Sequence, residues 1–525
     1  MNPIKQIEKL ISDGKLDEAR ALTNSLGGAS NAMRLAILAS IEQKAGEHSQ
    51  AELLYQRALK LNPDETIALL NLGKLYLGQK KNKSALPLLE AAHNKIKNEQ
   101  TALVYAAVLS ELDRMKDAAN VLLPLVEKER PSLNVLIAYC SFLRADLRPR
   151  DAIPYLEKAR TLYPDAPELE KAQADTVAEM DPYEAQRLFR EGADHATVQT
   201  KWNRSFVELR LRAFDVGWDL YENGLSEKIG KIGRPLPHQV RGLPMVTNLE
   251  SLDPSKWTLF STEQGIGDQV LFLGALNEAR EKVKKSALVC EQRMIPILQR
   301  SYPGLPVYSY SFALNLEKQR DRINGIFPIG SLQKTFRKTV ESFGKSRAPY
   351  LVPNQLLVEK YRGLIQKRRP GATIVGLSWT GGFWDRQQRT KSLPFEALVT
   401  PFLGREDVQL VCLQYGDVEK EKEWAKDHNV PISFIAGLDF RKQTDNWFSL
   451  GCACDYVVSV STALVHFMGA AGKRVELLLT DKQAPFIWGI DEGASLPYPS
   501  VNIHRRRVDE ENTAYMNRIR ASLLP

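Results

Sequence analysis

The chain has 525 residues, 43% of them hydrophobic and 26% charged, with a formal net charge of +8. That length and composition predict a globular protein of about two to four domains, and they exclude a disordered or fibrous chain. No apolar run approaches the ~18–20 residues of a membrane helix, and the charged start, "MNPIKQIEKLISDGKLDEAR", lacks the apolar stretch of a signal peptide. The expectation is a cytoplasmic protein with no membrane span. Its five scattered cysteines fit reduced, buried thiols. The positive balance fits an anionic ligand such as a nucleotide phosphate, but there is no basic block or aromatic–basic interleaving to suggest nucleic acid.

Five segments at the start share one plan: "DEARALTNSL", "QAELLYQRALKLNPDE", "SALPLLEAAHNK", "DAANVLLPLVEK" and "DAIPYLEKARTLYPDAP". Their leading alanines, Ala19, Ala51, Ala85, Ala118 and Ala152, are separated by 32, 34, 33 and 34 residues. In four of them a second apolar residue follows seven later, at Ala58, Ala92, Leu125 and Ala159. The period resembles that of tetratricopeptide repeats over roughly residues 1–180. Small residues let paired antiparallel helices cross closely, and stacking the pairs buries a face that no pair can bury alone. The resulting groove suits a protein partner. Residues 200–225 look like a last helical pair, and "FDVGWDLYE" (Phe214 to Glu222) should pack it onto the domain after it. Glycines and prolines in "GKIGRPLPHQVRGLP" predict a linker.

From Trp257 the pattern changes to short β-branched runs alternating with amphipathic stretches. Strands are predicted at 258–262, 287–291, 325–330, 373–379, 408–414, 432–437, 456–462 and 475–479. Such alternation predicts parallel sheets with helices on both faces. A break near "KSRAPYLVPNQ" divides the region into two halves, whose ligands should bind at the carboxyl ends of strands. The expected organisation is an α-solenoid at 1–225, a linker at 226–250, and Rossmann-like halves at 251–355 and 356–525.

Three segments carry candidate chemistry. "STEQGIGDQVLFLGAL" turns from strand to helix through Gly265 and Gly267, bracketed by Glu263 and Asp268. Glycines there let backbone amides face a ligand. Either carboxylate could take a proton, or Asp268 could simply cap a helix that begins at Gln269. "GLSWTGGFWDRQQRTKSLP" leaves a strand at Trp379, passes Gly381 and Gly382, and carries Arg386, Arg389 and Lys391, cations suited to phosphate. Gln414 ends a third strand and could reach a nucleoside. "DYVVSVSTALVHFMGAAGKRVELLL" ends a buried strand and places Ser461 and Thr462 where the next helix begins, with His466 four residues further on the same face. Ser461 or Thr462 could equally be a plain cap, and His466 a packed core residue. No Asp-x-Asp stands at a strand end, so neither a metal nor another cofactor is expected.

The order of "EQGIGDQVLF", "GLSWTGG…R…KSLPF" and "SVSTALVHFMGAAGKRV" after the repeats resembles the bacterial tetratricopeptide-linked glycosyltransferases. Their catalytic part is similar to heptosyltransferases and O-GlcNAc-transferase-like enzymes of GT-B fold. The resemblance implies a nucleotide-sugar donor held mainly by the C-terminal half. It assigns Ser461, Thr462 and His466 to the donor phosphate segment, and Gly265, Gly267 and Asp268 to the glycine-rich loop of the other half. Where that group usually has Asp, this chain has Ser461. The most similar members modify flagellin. This implies transfer of a sugar, favoured as a nonulosonic acid from a CMP donor, to Ser or Thr of a protein. A lipopolysaccharide glycosyltransferase and a non-enzymatic scaffold with a degenerate sugar-nucleotide module are the alternatives.

Overall fold

In the computed structural model the described residues are 3–178, 180–229, 233–237, 240, 242–313, 320–346, 349–381, 391–480, 485–507 and 510–524. The chain forms two compact units, Met1–Thr176 and Val177–Pro525.

The first unit is a row of antiparallel helix pairs, beginning with Pro3–Ser12 and Leu16–Asn24 and reaching Leu133–Ala145 and Pro149–Leu162. The five leading alanines, and Ala58, Ala92 and Ala159, are fully buried, as close helix crossing requires. Leu125 departs from that plan: it is only partly buried, and Leu122 and Val126 fill the core beside it. At Gly73 the crossing is tighter still, because an added Cβ would lie 2.6 Å from Leu89.

The turn inside each pair follows a rule that the residue types do not announce. Gly14, Gly46, Lys80, Asp113 and Leu147 all have positive φ, between 60° and 91°. Each stands five residues before a leading alanine. Only glycine takes this conformation without a steric cost. The same phase runs on into the second unit. Ala185 lies 33 residues after Ala152 and is buried; Gly217 lies 32 after Ala185, with Arg212 at φ 63° five residues before it. A Cβ at Gly217 would meet Leu209 at 2.6 Å, and one at Gly224 would meet Trp202 at 2.3 Å. The last pair thus uses glycine where earlier pairs use alanine, to admit Trp202 and Leu209.

The second unit contains this pair, Val198–Arg210 and Phe214–Tyr221, and two sheets. Strands β1 (Trp257–Ser261), β2 (Ser286–Cys290), β3 (Val307–Ser309) and β4 (Ile323–Pro328) form a parallel sheet in the order β3-β2-β1-β4. The other strands are β5 (Thr373–Ser378), β6 (Val408–Cys412), β7 (Ile432–Ser433), β8 (Tyr456–Val460), β9 (Val475–Leu479), β10 (Gly493–Ala494) and β11 (Val501–Arg505). They form a sheet in the order β10-β11-β9-β8-β5-β6-β7, parallel but for β10. Both sheets reverse direction beside their first strand, between β1 and β4 and between β5 and β8. Such switch points open a crevice at the carboxyl ends of the strands.

Three expectations change in detail. Strands β3, β10 and β11 are short or late and have no clear alternating pattern. The amphipathic stretch after β1 is two helices, Ile266–Leu273 and Leu276–Lys282, separated at Gly274. Among the described residues of 226–250, Arg234, Val240 and Leu243 are buried. Trp218, Tyr221 and Phe214 enter the same apolar core as Phe260, Phe272 and Phe467. All five cysteines are unpaired and buried. Among the described residues no helix is long and apolar enough to cross a membrane.

Relieving the turn at Lys80 tests the left-handed rule. Lys80→Gly should stabilise the protein by about 0.5–1 kcal/mol and Gly46→Ala should destabilise it by about 1 kcal/mol, read as opposite shifts of the urea midpoint. The exposed Lys80–Glu111 ion pair lost in the first variant contributes little.

Candidate functional site

A cavity of about 340 Å³ lies where the carboxyl ends of the two sheets meet. Seven strand-end segments reach it: Gly265–Asp268 after β1, Arg293 after β2, Lys391 after β5, Tyr415 after β6, Phe440 and Arg441 after β7, Ser461, Thr462 and His466 after β8, and Phe486 after β9.

Two helices begin at its wall. Ile266–Leu273 starts after Gly265 and Ala463–Ala470 starts after Thr462; both preceding residues have extended backbone, and neither supplies a side-chain cap. Each terminus carries a partial positive charge that the preceding side chain does not cap; at the first, the Asp268 carboxyl takes the N–H groups of Gly265 and Asp268, and at the second, Val465 N–H donates to Thr462 O at 3.2 Å. The two starts touch. A Cβ at Gly267 would stand 3.0 Å from His466 Cδ2 and 3.5 Å from Ala463 Cα. The junction is fastened nearby by Tyr350, whose N–H and that of Leu351 donate to Ala470 O, while its hydroxyl donates to Val270 O at 3.0 Å. Arg293 ties the halves together as well, donating from Nη1 to Arg441 O at 2.9 Å.

Asp268 stands in the first turn of the helix that begins at Ile266, so the start is three residues earlier than Gln269. Burial pushes its carboxyl above the usual range, against the pull of the Lys391 cation and of the backbone N–H groups of Gly265 and Asp268. Burial likewise lowers the Lys391 ammonium, with Asp268 opposing. His466 is buried, and burial together with Lys391 pushes it down to about 3. Its imidazole is neutral at physiological pH. Its Nδ1 lies 3.1 Å from the Tyr498 hydroxyl. Ser461 Oγ accepts from the Trp488 indole N–H at 3.0 Å, and Thr462 Oγ1 lies 3.3 Å from Ser459 Oγ.

Other sequence candidates fall elsewhere. Glu263 is fully buried away from the cavity. Its Oε1 accepts from Arg234 Nη2 at 2.7 Å, from Arg234 Nε at 3.1 Å and from Gly330 N at 3.1 Å. Arg234 also donates to Glu222 at 2.6 Å, and its guanidinium lies over the Tyr221 ring at 4.8 Å. Burial pushes the Glu263 carboxyl up, against the pull of Arg234 and of the Gly330 N–H, and its position outside the cavity lining is what departs from its reading as a base there. Trp379 is a core residue packed on Phe395, with its indole N–H donating to Glu421. Gln414 does not face the cavity with a free amide. Its Oε1 accepts from Ser378 Oγ and from the N–H groups of Trp379 and Thr380, and its Nε2 donates to Thr380 O and Tyr415 O. It clamps the loop after β5. Gly381 allows that loop to pass Ser461, since a Cβ there would meet Ser461 O at 2.8 Å. Gly382, Arg386 and Arg389 lie outside the described residues. Arg293, Arg441 and Tyr415 were not singled out individually by the sequence; Tyr415 follows Gln414 directly, but nothing local marks the two arginines.

The cavity therefore gathers two helix starts that no preceding side chain caps and three basic side chains around a single carboxylate. Such a lining suits an anionic ligand. Among the described residues no cluster of side chains could hold a metal ion.

Comparison with known proteins supports part of this picture. Residues 2–161 match the tetratricopeptide repeat family. The chain is 26% identical over 465 residues to Protein FlbA of Caulobacter vibrioides, covering 84% of this chain and 76% of that protein. Solved structures resembling the chain include a tetratricopeptide repeat protein from Parabacteroides merdae, 14% identical, covering 43% of this chain and 92% of that one with a TM-score of 0.36. Another is MamA from Desulfovibrio magneticus, 15% identical, covering 31% and 96% with a TM-score of 0.27.

The His466 environment sets a pH dependence. Its folded value of about 3 lies below the ordinary ~6.5, so the unfolded chain binds the proton first and stability falls as pH drops through that window. Asp268, shifted upward, protonates first in the folded state and works in the opposite sense. His466→Gln should lose less stability than the parent between pH 7 and pH 5.5, measured by urea unfolding at both values.

Proposed function

We propose that the Val177–Pro525 unit is a metal-independent glycosyltransferase with a GT-B-like pair of sheets. In this reading it moves a sugar from a nucleotide donor to a hydroxyl of a protein recruited by the tetratricopeptide array. The observation that carries it is the pair of helix starts, at Ile266 and Ala463, neither capped by the side chain before it, opening beside Lys391, Arg293, Arg441 and Asp268 on one cavity. Helix starts and fixed cations stabilise a phosphate, most of all one gaining charge as it leaves.

The chemistry divides by residue. The acceptor hydroxyl gives its proton to the Asp268 carboxylate as its oxygen bonds to the anomeric carbon. The bond from that carbon to the donor phosphate breaks, and the phosphate keeps the electron pair. N–H groups at the start of the Ala463–Ala470 helix, His466 and Lys391 hold the departing anion. Burial shifts the Asp268 and Glu263 carboxyls upward, and of the two only Asp268 lines the cavity where an acceptor hydroxyl could meet it. Gln414 holds the N–H groups of Trp379 and Thr380, and Gly381 lies against Lys391, where an added Cβ would meet Lys391 Cβ at 3.3 Å. Ser461, bound to Trp488, orients the turn before the second helix. The sequence resemblance supports a nonulosonic acid carried by CMP as donor and flagellin as acceptor.

Asp268→Asn should lower turnover by about 10²–10⁴-fold. Nucleotide affinity should hold or rise, because a negative charge leaves a site for an anion. Intact-mass measurement of flagellin incubated with a nucleotide-sugar panel reads the transfer, and calorimetry reads the affinity. Transfer by Asp268→Asn at the parent rate would remove Asp268 as the base. Transfer to lipopolysaccharide in place of protein would replace the acceptor, and the absence of nucleotide binding would favour the scaffold alternative.

A further inference from the structure

His466 occupies the cavity wall with one nitrogen committed and the other not. Nδ1 meets Tyr498 Oη at 3.1 Å, whereas the Cδ2–Nε2 edge faces Gly267, where an added Cβ would stand 3.6 Å from Nε2. Nε2 has no protein partner among the described residues. Which nitrogen carries the proton decides whether the cavity receives a donor or an acceptor.

The neighbouring hydroxyls settle the direction. Tyr350 has one proton, and its hydroxyl stands 3.0 Å from the Val270 carbonyl, which can only accept. The Tyr498 proton then has two acceptors in reach, Nδ1 at 3.1 Å and Tyr350 Oη at 3.5 Å. The shorter contact is the better bond, and the alternative leaves a buried O–H on a marginal one. The Tyr498 ring cannot swing away. It is fully buried and lies so close to the Ala463–Ala470 helix that a Cβ at Gly469 would meet its Cγ at 2.5 Å. The His466 ring is held from another side by Trp488, with centroids 5.0 Å apart.

We propose that Tyr498 is a positioning residue which donates to His466 Nδ1 and so fixes the neutral tautomer with its proton on Nε2, presenting an uncharged N–H donor to the anion site. The tautomer stands on the hydrogen-bond geometry; the identity of its ligand as a phosphate rests on the function proposed above. An uncharged donor adds to the two helix starts and Lys391 without offering an acidic proton that would neutralise Asp268.

The test uses the full chain labelled with ¹⁵N-histidine. Long-range ¹H–¹⁵N correlation spectra are recorded at neutral pH, with His466→Gln identifying the signals. The expected result is an unprotonated Nδ1 and a protonated Nε2. Tyr498→Phe, which keeps the ring, should move both nitrogens toward the average of two exchanging tautomers, and Tyr350→Phe should leave them in place. Affinity for inorganic pyrophosphate should fall about fivefold in Tyr498→Phe, the cost of one misdirected hydrogen bond. A parent protein with its proton on Nδ1 overturns the proposal without any variant, as does a Tyr498→Phe spectrum identical to the parent's. Failure of pyrophosphate to bind the parent protein overturns the phosphate reading instead, and the spectra still decide the role of Tyr498.

Discussion

The geometry of the cavity depends on one steric fact: position 267 has no side chain. The helix after β1 and the helix after β8 begin against each other at Gly267, His466 and Ala463. Each start carries about half a positive charge. Bringing two such ends together, beside Lys391, Arg293 and Arg441, is electrostatically unfavourable until an anion sits between them. Arg293 is paired with Glu291 at 2.7 Å, and among the described residues Asp268 is the one carboxylate that lines the cavity itself. A protein that needed nothing here could have capped either helix with Ser, Asp or Asn, the ordinary and cheaper solution. It places Gly265 and a Thr462 whose hydroxyl points elsewhere at the two cap positions.

That arrangement needs rigid support, and the charged cluster of Glu222, Arg234 and Glu263 supplies it. Glu263 ends the segment leaving β1, and Gln264 comes next with φ 64°, a conformation that costs a non-glycine residue. Its side chain bonds the Tyr221 hydroxyl, and its carbonyl accepts from Gln269 Nε2 at 3.1 Å. A buried ion pair is weak evidence for stability as such, because desolvation offsets much of the attraction. Here its consequence is positional. Arg234 joins the last helix pair to the first sheet and fixes where the loop must turn, so that Gly265 to Asp268 arrive at the cavity in one orientation.

Periodic features were readable in the sequence because they are local. Alanines at a 33-residue step and alternating strands and helices need no knowledge of the fold. The left-handed turn positions were hidden, since Lys80, Asp113, Leu147 and Arg212 do not advertise positive φ as glycine does. Of the two carboxylates flanking the glycines, the sequence offered no choice. The choice comes from Arg234, which lies in a stretch whose glycines and prolines read as a linker. Lys391, Ser461, Thr462 and His466 line the cavity; the sequence marked Lys391 as a cation following a glycine pair, and the other three as residues at or near a helix start. Trp379 and Gln414 sit at strand ends, yet point into the core or bind their own loop; strand-end position alone does not tell inward from outward. Arg293 and Arg441 were missed because only the packing of the two sheets brings them together.

Whether the two helix starts form one anion site is decided by a crystal structure of the full chain with a nucleoside diphosphate or CMP. A phosphate group should lie within hydrogen-bond distance of the N–H groups at the start of the Ala463–Ala470 helix, with Lys391 and His466 beside it. A nucleotide bound elsewhere, or the cavity left filled by side chains while the nucleotide is bound, would contradict a shared anion site.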